Sequence, residues 1–345
     1  IGPNADNLYN QLGDYTPPQR PGAGATVLQG IRATAPQGTD VSYAKGCGIR
    51  DTSTAGFDEA IALAEASELV VLVLGGSSTR NFDVQFMDTG AVAVSDKATE
   101  MDCGEGVDVA DLELGGVQLE LAKQIVATGA PVIVVLIQGR PHAISWLSQH
   151  VPAILCAWYP GQEGGRAVGE ILFGHVVPSG KLPVSIPRSS GQLPVYYNRK
   201  EVGDYLDMPA KPLYTFGHGL SYTSFKCSNF ELSREAISRN ALENGQRIQI
   251  TVEVENTGAF PGAEVIQLYI QDMESSVVRR VRELKGFEKL FMHPGERKKA
   301  TMSIGKEELA VWDSEMQFTV EPGNMKIMVG NEPDRLHEMN LRITE

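Results

Sequence analysis

Two hydrophobic rhythms divide this chain. Up to about residue 220, short continuous apolar runs alternate with helical patterns, whereas beyond about 228 apolar residues recur at every second position. Phe57, Ile61 and Ala62, with the run 63–66, predict an amphipathic helix, and LVVLVL at 69–74 predicts a buried strand. The next pairs are a helix over 112–128 with a strand over 131–138, and a helix over 142–149 with a strand over 153–158; a helix over 162–173 follows. Strands that are apolar throughout and alternate with helices imply a parallel sheet covered on both faces. Ligands of such sheets gather beyond the carboxyl ends of the strands, so the loops after Leu74, Gln138 and Trp158 are the places to look for chemistry.

Between about 175 and 225 the pattern breaks into proline, glycine and tyrosine: PSGKLP at 178–183, QLPVYY at 192–197 and FGHGLSY at 216–222. This stretch is too aromatic for a flexible tether and reads as an ordered connector. Farther on, Ile248, Ile250, Val252 and Val254 alternate with polar residues up to the turn NTG at 256–258. Runs at 265–271, 283–290, 298–304, 317–320 and 325–329 follow, separated by Pro-Gly turns, which is the signature of a β-sandwich. The expected division is an α/β domain over 1–190, a connector over 191–227 and an all-β sandwich over 228–345.

Composition narrows this picture. With 345 residues the chain exceeds one ordinary core. No run reaches the ~18–20 apolar residues needed to span a bilayer. A net charge of −13 argues against nucleic acid as a partner, because phosphates are repelled. The four cysteines, Cys47, Cys103, Cys156 and Cys227, are scattered without a CxxC pair or a histidine at metal spacing, so neither a metal nor another cofactor is expected. The sequence holds no N-x-Ser/Thr site and no signal-peptide pattern, which leaves periplasmic, secreted and cytoplasmic locations open. IGPNAD at the start reads as the end of a strand that begins earlier.

The candidate chemistry lies in CGEGVDVADLEL, residues 103–114. Glu105 stands between Gly104 and Gly106, a flexible setting from which a carboxyl can be brought over a ligand. The surrounding excursion, 79–113, holds Asp83, Asp88, Asp96, Glu100, Asp102, Asp108, Asp111 and Glu113; a solvated acidic loop accounts for most of them. Asp111 and Glu113 are expected to cap the helix that follows. GGSS at 75–78 lacks the spacing of a nucleotide-binding loop and is expected to line a ligand instead, through Ser77, Ser78 and Arg80. Glu163 opens a helix, a structural setting, and no GxSxG nucleophile elbow exists.

The order GPNAD, QLGDY, TVLQGI, EGVDVADLEL, AWYPGQEGG, PSGKLPVSIPRS, LPVYYN, PLYTFGHGLSYTSF, ELKGF and HPGER resembles the later part of family 3 glycoside hydrolases over essentially the whole chain. The resemblance implies an α/β sandwich domain with a mostly parallel sheet, followed by an all-β fibronectin type III-like sandwich. The (β/α)8 barrel that usually precedes them is absent from these residues. It also places the general acid/base on Glu105, in an EGxD context with Asp108, and puts the nucleophilic aspartate on the missing barrel. Val109 stands where the family often has an arginine after the aspartate of the EGxD pattern, Asp108, which puts the local ion pairing around Glu105 in question. Arg80, Asp83 and Trp158 are the further candidates for sugar contacts. The implied activity is retaining, exo-acting hydrolysis of terminal β-D-xylosyl or β-D-glucosyl residues, with an oligosaccharide or aryl glycoside as substrate. FMDTGA and LPVYYN incline the reading to a β-xylosidase. The alternative is a non-catalytic carbohydrate-contacting or assembly module, with the sandwich serving packing or homodimer contacts.

Overall fold

Three strands, β1 (Val70–Gly75), β2 (Val132–Ile137) and β3 (Ala153–Trp158), form a parallel sheet in that order. They belong to the first of two units in the computed structural model, which describes residues 1–79, 88–89, 100–200 and 203–345. This unit comprises Ile1–Val176 and Pro187–Leu193; the second comprises Val177–Ile186 and Pro194–Glu345. The helices of the first unit are α1 (Leu8–Leu12), α2 (Val27–Thr34), α3 (Phe57–Glu65), α4 (Gln118–Ala127), α5 (Ser145–His150) and α6 (Gly164–Leu172).

Because side chains alternate along a strand, Val73, Val135 and Ile137 face one side of the sheet, where they pack with Val27 and Ile31 of α2 and Val168 of α6. Leu72, Leu74, Val134 and Leu136 point the other way and are buried as well. Ala60, Ala64, Leu121 and Ile125, on the mutually packed α3 and α4, are also buried. The expected α/β layering with a parallel sheet is therefore present. Residues 1–4 run beside β1: Val73 N–H donates to the Ile1 carbonyl and Asn4 N–H to the Val73 carbonyl.

Helix α4 begins at Gln118, six residues later than the apolar periodicity predicts. Gly116 has φ +59, and a methyl group on it would stand 2.4 Å from the Asp51 carbonyl oxygen. The chain there must press against the 50–51 backbone, so 112–117 forms an irregular approach whose Leu112 and Leu114 are nonetheless buried. Asp111 and Glu113 consequently cap no helix: Asp111 Oδ1 accepts the Glu113 N–H at 3.1 Å in a local turn.

Helix α2 starts with a capping box in which Thr26 accepts from Gln29 N–H and the Gln29 side chain accepts from Thr26 N–H. It approaches α6 most closely where glycines stand. A methyl group on Gly30 would lie 1.8 Å from the Gly165 carbonyl oxygen, and one on Gly165 would lie 2.0 Å from the Thr26 carbonyl oxygen.

Among its described residues the second unit is all-β apart from two short helices, α7 (Arg239–Glu243) and α8 (Lys306–Leu309). Its strands are β4 (Phe225–Leu232), β5 (Ala236–Ser238), β6 (Ile248–Asn256), β7 (Gly262–Asp272), β8 (Glu283–Met292), β9 (Arg297–Ile304), β10 (Val311–Trp312), β11 (Phe318–Thr319), β12 (Gly323–Gly330) and β13 (His337–Thr344). A five-stranded sheet, β5-β13-β12-β7-β8, and a three-stranded sheet, β4-β6-β9, enclose one core, while β10 and β11 form a small hairpin. The inward residues of β6 (Ile248, Ile250, Val252, Val254) meet Ile266, Leu268 and Ile270 of β7, as the alternation requires. β4 is broken by a bulge between Ser228 and Glu231, where Asn229 adopts φ +52, and this interruption hides its period in the sequence.

The glycine crossing of α2 and α6 makes a stability prediction. Gly165→Ala should destabilise the first unit by about 1–3 kcal/mol, the usual cost of overpacking. Gly180→Ala, at a position with nothing within 4 Å, should leave the chemical-denaturation midpoint almost unchanged.

Candidate active site

The carboxyl ends of β1 and β2 carry the site. Asn4 is fully buried and its Nδ2 donates to the carbonyls of Leu74, Gly76 and Ile137 at 3.2–3.3 Å. Gln118 closes the same edge: its Oε1 accepts Gly75 N–H at 2.9 Å, and its Nε2 donates to the carbonyls of Gly75 and Ile49. Buried backbone groups at a strand end need such partners, since an unmet one costs as much as a lost hydrogen bond. Asn10 donates to Asn4 Oδ1, and its own Oδ1 accepts from the hydroxyls of Ser77 and Thr79.

This corrects the expectation for GGSS. Ser77 is 0 % exposed and Ser78 2 % exposed, so both sit inside the protein rather than against a ligand. Ser77 instead anchors the next piece of chain. Its N–H donates to Asp102 Oδ1 at 2.9 Å, while Asp102 N–H donates back to the Ser77 carbonyl at 2.9 Å. Asp102, three residues before Glu105, is thereby fixed to the end of β1.

Residues 104–107 make a tight turn, with Val107 N–H donating to the Gly104 carbonyl at 3.2 Å. Glu105 and Gly106 are its central residues. Gly106 has φ +76, as the third position of a type II turn demands, and Gly104 has φ +126. Glu105 is exposed at the tip. Two residues from the far end of the sequence hold it. Asp14 Oδ2 accepts Glu105 N–H at 3.0 Å and Asp14 Oδ1 accepts Tyr15 N–H at 2.8 Å, while the Tyr15 hydroxyl donates to Glu105 Oε2 at 2.8 Å. Tyr15 itself adopts φ +56, a conformation that L-residues avoid unless the surroundings impose it.

The loops after β2 and β3 support the turn from beneath. Arg140 forms an ion pair with Asp108. The arginine that Val109 displaces from the sequence neighbourhood of Asp108 is thus supplied in space from another element. The guanidinium, hydrogen-bonded to Asp108, holds that carboxyl below the usual aspartate range. Cys103 Sγ lies 3.1 Å from the Tyr159 hydroxyl, and burial pushes both groups' pKa values up. The Tyr159 ring fits where Gly13 and Gly139 have no side chain; a methyl on Gly139 would come within 2.5 Å of its hydroxyl. Ser190 Oγ accepts Leu112 N–H at 2.8 Å and donates to Asp111 Oδ1 at 3.0 Å, which ties down the far flank of the loop.

Of the residues singled out by sequence, Arg80 and Asp83 lie outside the described residues. Trp158 ends β3 at φ +54, half-buried, with its carbonyl accepting Gln138 N–H at 3.1 Å. β3 carries a bulge there, since Leu136 pairs with Cys156 but Ile137 with Trp158. Sequence reasoning gave no role to Asp14, Tyr15, Arg140, His142 or Tyr159. The run QLGDY was visible in the family pattern, yet nothing in its spacing points to Glu105, ninety positions away.

With this geometry in hand, comparison with known proteins assigns the class. The family model described as glycosyl hydrolase family 3 C-terminal domain matches residues 1–222, and a fibronectin type III-like domain model matches residues 264–332. The chain belongs to glycosyl hydrolase family 3. It is 38% identical over 359 residues to a beta-xylosidase of Formosa agariphila, covering 99% of this chain and 45% of that protein. It is 35% identical to a periplasmic beta-glucosidase of Salmonella typhimurium, covering 98% and 45% respectively. Among solved structures, a β-glucosidase of Erythrobacter marinus superposes with a TM-score of 0.84 at 37% identity, over 99% of this chain and 46% of that one. The chain therefore spans somewhat under half the length of the relatives it matches.

The Arg140–Asp108 pair can be read directly. A carboxyl with a lowered folded-state pKa contributes stability above the ordinary aspartate value, and that contribution disappears as pH falls through the lowered value. In a carbon-13 carboxyl titration Asp108 should ionise below the ordinary range, and Arg140→Met should return it there. An unmoved Asp108 midpoint in that variant contradicts the pairing.

Proposed function

We propose that this chain supplies the general acid/base of a retaining exo-β-glycosidase, and that Glu105 is that residue. The whole enzyme removes terminal non-reducing β-D-xylosyl or β-D-glucosyl residues from oligosaccharides. Its nucleophilic aspartate comes from a (β/α)8 barrel outside these residues, and the acid loop belongs to the α/β part, 1–190. The observation that carries the reading is the setting of Glu105: an exposed carboxyl at the tip of a tight turn, gripped through its own N–H by Asp14 and through Oε2 by the Tyr15 hydroxyl.

Such a grip suits acid/base work. Retaining hydrolysis needs one carboxylate to attack the anomeric carbon and a second carboxyl, about 5–5.5 Å away, to protonate the departing oxygen. With Oε2 accepting the Tyr15 O–H, the transferable proton belongs on Oε1. The same oxygen, once deprotonated, takes a proton from the water that cleaves the glycosyl-enzyme. Asp14 fixes the backbone from which the carboxyl swings, and positioning of this kind converts a loose encounter into a near-attack geometry. The relatives named beta-xylosidase and beta-glucosidase support the substrate class, as does the β-glucosidase of Listeria innocua, 28% identical to this chain, whose structure is in complex with glucose.

In the complete enzyme, Glu105→Gln should lower turnover of glycosides with poor leaving groups by about 10²–10⁴, the span of a general acid's contribution, and should spare glycosylation by activated aryl glycosides. Azide should restore turnover of the activated substrate. Undiminished turnover of a poor-leaving-group glycoside would end the assignment.

The 345-residue chain by itself should hydrolyse neither the nitrophenyl xyloside nor the nitrophenyl glucoside, since no nucleophile is assigned to it. Turnover by the purified chain would require a local carboxylate such as Asp108 as nucleophile. Parallel assays of the two glycosides with the complete enzyme, expected to favour the xyloside, decide the sugar.

A further inference from the structure

Beneath the Glu105 turn lies a pair of side chains that the proposed chemistry does not use. His142, after β2, is 2 % exposed, and Asp102 is 4 % exposed. The His142 Nδ1 lies 3.2 Å from the Leu112 carbonyl oxygen. A carbonyl can only accept, so Nδ1 carries a hydrogen. In a neutral ring Nε2 then presents a lone pair. Yet Nε2 is buried without a hydrogen-bond partner of its own and faces Asp102 Oδ2 at 3.5 Å. A lone pair against a carboxylate in a buried site is repulsive and leaves the ring nitrogen unmet. One proton between Nε2 and Oδ2 resolves the conflict, whichever of the two atoms holds it. Asp102 Oδ1 accepts the Ser77 N–H, and Oδ2 is the oxygen that faces the ring.

The consequence for the turn follows from where the two ends are attached. Asp102 and Leu112 bracket Glu105 in the chain, and His142 touches both. Resting on the reading of Glu105 as acid/base, we infer that His142 and Asp102 share one proton and clamp the two flanks of the Glu105 loop together, so that His142 is a positioning residue for the acid/base carboxyl. The charged groups acting on the ring are Asp102, which favours a proton on it, and Arg140, which opposes one; burial is the largest influence and pulls the histidine down. The shared proton therefore belongs to the pair rather than to an independent imidazolium. Leu112 is also held by Ala143 N–H and Ser190 Oγ, but the link from Asp102 to this flank passes through His142.

The clamp is tested first without catalysis. In the 345-residue chain, His142→Leu should speed hydrogen exchange of the Glu105 and Val107 amides by at least about 10-fold, with the Leu121 amide of α4 unchanged, because only the local opening is affected. His142→Gln, whose Nε2–H can donate to Asp102, should stay near the parent rate, and so should Asp102→Asn, whose amide can donate to a neutral ring. Unchanged loop exchange in His142→Leu overturns the clamp. If the leucine variant fails to fold, Asp102→Leu with the two conservative variants gives the same comparison. In the complete enzyme, His142→Leu should lower kcat/KM for a poor-leaving-group glycoside by roughly 10- to 100-fold, the cost of a small misplacement. An activated aryl glycoside should be spared, and no further loss should appear in a Glu105→Gln background. Equal losses on both substrates, or a loss that adds to that of Glu105→Gln, overturn the positioning role. A Glu105→Gln enzyme that keeps its turnover of poor leaving groups overturns the acid assignment alone, because exchange reads the clamp independently.

Discussion

Peptide groups at the carboxyl end of a parallel sheet have no next residue of strand to pair with, and in this protein two buried amide side chains meet that need. Asn4 reaches the carbonyls of Leu74, Gly76 and Ile137, and Gln118 both donates to and accepts from Gly75. Every later contact of the site stands on this closure. Because the end of β1 is fixed, Ser77 is fixed; because Ser77 exchanges two hydrogen bonds with Asp102, the stem of the Glu105 turn is fixed as well. Removing either amide would take a donor from several backbone carbonyls at once, a larger loss than one hydrogen bond.

The turn itself combines freedom and restraint. Gly104 and Gly106 supply backbone conformations that other residues adopt at a cost, so the chain can reverse within four residues and leave Glu105 outermost. Restraint comes from side chains on separate elements: Asp14 and Tyr15 above, Arg140, His142 and Tyr159 below. A carboxyl on a merely flexible loop would spend most of its time out of reach of a sugar. One held at its N–H and through a carboxylate oxygen keeps a narrower arc of motion, as the proposed proton transfer would require.

The second unit illustrates a simpler economy. Its core is drawn from alternate residues of two sheets, and the edge residues of the pattern, such as Phe287 and Phe291 on β8, remain exposed. Polar order within it is local, as where Lys181 pairs with the buried Glu264 at 2.8 Å, an arrangement that fixes geometry more than it adds stability.

The apolar rhythm alone determined the class of each part. Continuous runs such as 70–75 and 132–137 can only be buried on both sides, and the alternation of 248–254 can only be buried on one, so a covered parallel sheet and a sandwich were legible. The tight turn that exposes Glu105 was legible too, since glycine on both sides of a residue is a local signal; the role of that carboxyl remains the proposal made for it. Helix α2 was not, because its apolar face is short and its start is set by Thr26 and Gln29. The late start of α4 was equally hidden, being imposed by the backbone that Gly116 presses against. The partners of Glu105 were invisible for the same reason: hydrogen bonds from Tyr15, Asp14 and the residues after β2 and β3 depend on which loops the sheet gathers at one end. Periodicity records how each segment meets the core, whereas the encounter of distant polar side chains is decided only when the strands are laid side by side.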